Sequence, residues 1–168
     1  MKSALKFIAF AFLTLAPLST YAQSNVAHIN VQQLISEMPE VIAAQNELAK
    51  LEKDYTTQID NAFKEFQTKA QSYSADAANQ TDVTNQARQK ELESMQTNLQ
   101  EFRDSAAQEL QKKQMDLMTP LLEKARNAIT KVGQEQGFDY VIDSGPNGGI
   151  ILADGKDLIE DVKRELGF

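Results

Sequence analysis

Apolar residues recur at helical spacing from about residue 40 to residue 136, and this stretch holds almost no Gly or Pro. One polar interruption, SYSADAANQTD at 72–82, divides it. Before the interruption the apolar positions are Leu48, Leu51, Tyr55, Ile59, Ala62, Phe66, Ala70 and Tyr73. Their spacings alternate between three and four in an eleven-residue pattern of about 3.67 residues per turn, which favours a straight or slightly right-handed pair. The spacing predicts a helix over 40–73, about 50 Å long. After the interruption Leu92, Met95, Leu99, Phe102, Ala106, Leu110, Leu117 and Leu121 form a second stripe, and a second helix is predicted from Thr81 or Asp82 to about Gln136. Two long amphipathic helices joined by a short polar turn must fold back on each other to cover their stripes. Pro120 falls inside the second pattern; it removes a backbone donor and clashes with the preceding turn, so a kink or break is expected there, at an arm hinge.

The flanking segments have a different period. Val26 to Val31 (VAHINV) reads as a strand. Asn30, with Gln33 three residues on, begins a short helix over 31–37 in capping-box fashion, and this helix ends before Pro39. Beyond the second long helix, Gly137 suits a C-terminal cap. Phe138 to Asp143 alternates, with Phe138, Tyr140 and Ile142 on one face. Residues 144–149 form a turn by composition, and Ile150 to Ala153 reads as the return strand of a hairpin. Asp157 caps a last helix over 158–166, with Glu160 three residues on and Gly167 at its end.

The expected fold class is therefore α+β, predominantly helical: a long antiparallel helical hairpin, the arm, on a small β body. The body comprises residues 23–39 and 121–168, the arm 40–120, and the tip about 72–82. The strands come from both ends of the chain and meet only if the arm returns to its origin. Three short strands make a weak sheet whose edges invite pairing with another copy, so the body is expected to oligomerise. Val26, Ile29, Phe138, Tyr140, Ile142, Ile150 and Leu152 are its candidate contact residues.

Residues 1–22 read as a cleaved secretory signal: Lys2 and Lys6, an apolar run over 7–18, and Thr20-Tyr21-Ala22 before the cleavage point. The run is too short to span a bilayer comfortably. Removing the two lysines moves the formal charge from −7 to −9. An acidic balance argues against nucleic acid as a partner and gives no general attraction to an anionic membrane surface. The chain has no Cys, so disulfides, thiol chemistry and a Cys-linked lipid anchor are all excluded.

Candidate chemistry is sparse. His28 is the single histidine and cannot by itself build a metal site, and no triad geometry converges on it. Asp139, Asp143, Asp154, Asp157 and Asp161 do not reproduce the calcium-loop spacing. Gly145-Pro146-Asn147-Gly148-Gly149 lacks the Lys and Ser or Thr of a phosphate cradle, and a strand follows it rather than a helix N-terminus. No enzyme activity and no cofactor are expected.

The strand VAHINV at 26–31, the Gln/Lys/Glu-rich hairpin and the segment FDYVIDSGPNGGIILADGKDLIEDVKREL at 138–166 together resemble the Skp (OmpH-like) family of periplasmic chaperones. The resemblance implies a homotrimer whose subunits share a β body, with three arms enclosing a cavity. It further implies that this cavity holds unfolded outer-membrane β-barrel proteins in the periplasm without ATP. The best-known members are strongly basic; this chain is not, and it offers no basic cluster on which to place attraction to lipid. Within such a cavity Phe63, Phe66, Tyr73 and Val83 are candidate client-binding residues. Phe66 and Tyr73 also fit simple packing of the seam between the helices, whereas Phe63 lies off the narrow stripe and fits either role. An exported coiled-coil protein that spaces or tethers envelope components shares the signal, arms and stripe, but needs no β base.

Overall fold

The computed structural model describes residues 24–146 and 148–168, so the signal expected at 1–22 lies outside the described residues. The element order is β1 (Val26–Ile29), α1 (Val31–Glu37), α2 (Pro39–Asp76), a 3-10 turn (Ala77–Asn79), α3 (Asp82–Glu135), β2 (Tyr140–Asp143), β3 (Lys156–Asp157) and α4 (Ile159–Leu166). The protein is thus mostly helical with a small sheet. β1 lies between β2 and β3 and is parallel to both. Ala27 pairs with Val141 and Ile29 with Asp143, so the two ends of the chain meet in one sheet.

Local chemistry sets most boundaries. Asn30 leaves the strand as the N-cap of α1, its side-chain oxygen accepting from the Gln33 N–H at 3.0 Å. Gln33 does not complete a capping box; its amide turns to Glu37 at 3.0 Å. α2 continues past the expected Tyr73 to Asp76, because the polar stretch SYSAD holds neither Gly nor Pro to stop it. Thr81 sets the return, its Oγ1 accepting from the Thr84 N–H at 3.2 Å. α3 ends at Gly137, whose φ of 73° lets its N–H reach Gln134 O at 3.1 Å while the Phe138 N–H reaches Gly133 O at 3.0 Å. These two bonds make a Schellman closure.

Several expectations are corrected. First, α3 runs unbroken through Pro120, so there is no break at that position. Pro120 and Asp116, whose carbonyl loses its partner there, are both exposed residues, so water can replace the missing bond.

Second, residues 150–153 form no strand and no hairpin; the third strand is Lys156–Asp157, on the far side of β1. Two contacts send the chain across the sheet instead of back along β2. The Asp143 carboxylate accepts from Gly145 N–H at 2.8 Å and Val31 N–H at 3.2 Å, turning the chain at the end of β2. Leu158 is fully buried, and its N–H bonds His28 O at 3.0 Å, which draws 156–157 onto the free edge of β1.

Third, Phe138 does not share a face with Tyr140 and Ile142. It precedes the strand and packs against the core. The last helix also starts one residue later than expected. Asp157 accepts from the Ile159 N–H at 3.0 Å, and Glu160 pairs with Lys163 rather than returning to the cap.

The core lies where α1, the start of α2, the end of α3, α4 and one face of the sheet converge. Ala27, Ile29, Leu34, Met38, Val41, Val132, Leu158 and Val162 are among its buried members. A Cβ on Gly133 would stand 2.7 Å from Val141 Cγ2, so glycine there lets α3 lie directly on β2. Beyond this core the arm is two helices thick. Only Ala44, Leu99 and Ala106 are buried along it, and Ala62, expected in the stripe, is exposed. Ion pairs cross the arm at Glu40–Lys124 (2.6 Å), Glu47–Lys113 (2.8 Å), Lys69–Glu91 (2.5 Å) and Asp76–Arg88 (3.0 Å).

Candidate interaction surfaces

The outer face of the sheet follows from the two-residue alternation of its strands. Helices cover the face carrying Ala27, Ile29 and Val141. Val26 and Ile142 are exposed on the other face, with Tyr140 61% exposed beside them. Residues 150–155 pass over one end of this face, and Ile150, Leu152, Val26 and Ile142 line a cleft of about 180 Å³ there. Ile151 is fully exposed and Leu152 is 82% exposed. Of the seven body residues singled out by sequence, four (Val26, Tyr140, Ile142, Leu152) stand exposed and Ile150 is half-buried. Ile29 is inside the subunit core and Phe138 packs against it. Ile151, which the sequence reading did not single out, is exposed beside Leu152.

His28 lies on the same outer face and ties its ends together. Its Nδ1 is 3.2 Å from Ser144 Oγ and its Nε2 is 3.1 Å from Gly155 O. Asp139 accepts from the Asn25 N–H at 2.9 Å, and Asp161 accepts from Gln136 at 2.9 Å and pairs with Lys156 at 3.0 Å. Gly148 closes the turn after β2, its N–H donating to Gly145 O at 2.9 Å. These groups hold strand ends, turns and a helix start. No group of three or more metal-ligating side chains gathers among the described residues. No described helix is long and apolar enough to cross a membrane.

On the arm, Phe66 sits half-buried in the seam while Phe63, one turn earlier, is 40% exposed. Their rings stack with centroids 6.5 Å apart. The Arg103 guanidinium lies 6.0 Å from the Phe63 ring. With Leu99 as floor and Gln96, Thr97 and Gln100 around it, this shelf forms a groove of about 450 Å³. Arg103 was not singled out by sequence. A signal was present: it has no Asp or Glu three or four residues away on its own helix.

Near the tip, Tyr73 belongs to the seam. Its hydroxyl donates to Glu91 at 2.6 Å, and Arg88 lies over its ring at 4.7 Å. Lys69, and then the Tyr73 hydroxyl, hold the Glu91 carboxyl below its ordinary range. Arg88, followed by Asn79, does the same for Asp76. Val83 is 76% exposed just beyond the turn. The candidate arm residues therefore do not form one surface: Tyr73 closes the hairpin, Phe63 and the half-buried Phe66 line one groove, and Val83 is exposed at the tip.

The chain is 26% identical over 160 residues to the Chaperone protein Skp of Yersinia enterocolitica, covering 92% of this chain and 93% of that one. It superposes with a TM-score of 0.76 on a crystal structure from Caulobacter crescentus described as an outer membrane chaperone (OmpH-like). That match covers 86% of this chain and 85% of the other at 12% identity, a likeness of fold. Residues 25–166 match the family model Outer membrane protein (OmpH-like), and the chain belongs to that family.

Proposed function

We propose that the chain is an ATP-independent holding chaperone of the periplasm, which encloses unfolded outer-membrane β-barrel proteins between the helical arms of a homotrimer. The family and the chaperones among its relatives support the class of activity. One observation carries the mechanism. The arm is only two helices thick, so its apolar stripe closes the seam without being consumed by it, and Phe63 remains available on the flank. An unfolded β-barrel strand alternates apolar and polar residues. Holding many such strands requires a long, weakly apolar surface with its backbone groups already satisfied, and a helical arm provides that. α2 alone, at 38 residues, is about 57 Å long.

The uncovered sheet face supports assembly. Val26, Tyr140, Ile142, Ile151 and Leu152 remain exposed in the single subunit, and pairing them with a second copy would remove apolar area from water. Pro120 serves as the arm hinge, since it leaves α3 one backbone bond short where the arm joins the core. The proposal is tested by diluting a urea-unfolded β-barrel protein into buffer with and without this chain. Suppressed light scattering at equimolar trimer is expected. No suppression would instead favour a protein that spaces or tethers envelope components.

A further inference from the structure

We infer that the Phe63–Arg103 groove is a recognition site for extended client segments carrying an aromatic residue and a carboxylate two positions apart. The inference rests on the holding role proposed above and names what one part of the arm selects. Three observations on the arm lead to it.

The first is the shelf itself. Phe63 is exposed and stacked on Phe66, with buried Leu99 beneath, so a third ring can pack on Phe63 without any rearrangement of the seam. The second is charge. Arg103 enters no ion pair among the described residues, whereas Lys69, Arg88, Lys113 and Lys124 are each committed to a carboxylate across the arm. Residues 99, 100, 106 and 107, which flank it on its own helix, are Leu, Gln, Ala and Ala. Asp104 follows Arg103 directly but accepts from Gln100 at 3.0 Å, Glu65 precedes Phe66 and Glu101 lines the groove, and none of the three forms an ion pair with Arg103. In an acidic chain an arginine left uncommitted beside two aromatic rings is complementary to an anion borne on an apolar segment.

The third observation is spacing. The guanidinium carbon stands 6.0 Å from the Phe63 ring centre. In an extended chain, side chains two residues apart share a face and are about 7 Å apart. A client ring resting on Phe63 thus brings a carboxylate two residues along to the Arg103 guanidinium. A carboxylate on the adjacent residue points to the opposite face and cannot reach.

The test uses the full chain and short fluorescent peptides that differ only at the paired positions: Tyr-x-Asp, Tyr-x-Asn and Ala-x-Asp. Anisotropy titration is expected to give the Tyr-x-Asp peptide about tenfold tighter binding than either other peptide. The Arg103→Gln variant is expected to erase the Asp-over-Asn preference, and Arg103→Lys to retain part of it. Circular dichroism checks that both variants keep their helix content; if either does not, the wild-type comparison of Asp with Asn decides alone. Equal binding of the Asp and Asn peptides, no measurable binding, or a preference that survives Arg103→Gln would overturn the site. Aggregation suppression by the wild-type chain separates the two claims. Suppression without peptide discrimination sinks this site and leaves the holding role, while absence of suppression sinks the role itself.

Discussion

Phe63 and Phe66 are one helical turn apart, yet only Phe66 lies on the stripe that meets α3. The period of the helix decides this: three residues turn it by about 300°, so Phe63 is displaced by about 60° around the axis from Phe66 and falls at the edge of the seam. Phe63→Ser is expected to leave the far-ultraviolet dichroism unchanged and to speed client release by a factor of about 3–10, equivalent to an aromatic contact of about 0.5–1.5 kcal/mol. Loss of helicity instead would place Phe63 in the seam. Among the residues legible in the sequence were the caps Asn30 and Gly137, which act through backbone groups three positions away, so their chemistry is local. Tyr73 was legible only as an apolar position. Its hydroxyl finds Glu91 18 residues later, a partner that the turn geometry selects.

At the scale of elements, two features of the arm make opposite contributions to its rigidity. Pro120 weakens α3 where the arm leaves the core. Pro120→Ala is expected to raise the thermal midpoint, with a gain of about 1–3 kcal/mol at fixed protein concentration, and to narrow the range of client sizes retained. Near the other end, Asp76 with Arg88 and Glu91 with Lys69 tie α2 to α3. Both carboxyls titrate below their ordinary values, so the folded hairpin binds protons less readily than the unfolded chain. Their stabilisation is complete above the ordinary carboxylate range of about 4 and is lost as pH falls through the lowered values. Hydrogen exchange measured on acidification should therefore show residues 72–92 losing protection, and Asp76→Asn should remove part of that dependence. Unchanged protection at the tip down to pH values where the core unfolds would contradict this.

At the scale of the whole molecule, the sheet joins the first described residues to the last and leaves one face bare. Light scattering is expected to give a single oligomer at micromolar concentration. Tyr140→Asp combined with Leu152→Asp is expected to convert it to monomer, because each carboxylate would have to be desolvated in the interface. A wild-type chain that runs as a stable monomer would contradict the proposed assembly. The same bare face explains why residues 150–153 were misread. Three consecutive apolar residues before Ala153 look like a buried return strand, but the chain crosses to the far edge of β1 and leaves the outer edge of β2 unpaired within one subunit.

The sequence by itself determined the helical hairpin, its near-complete boundaries and the return of the chain to its start. Hydrophobic period, caps and the scarcity of Gly and Pro are short-range properties, and each can be read within a few residues. Only the tertiary structure decided that both outer strands run parallel to β1 and that Phe138 turns inward while Tyr140 turns outward. The same holds for α3 passing unbroken through Pro120 and for Arg103 standing unpaired above Phe63. These outcomes depend on which distant groups compete for one strand edge, one core volume or one charge, and that competition exists only once the ends of the chain have met.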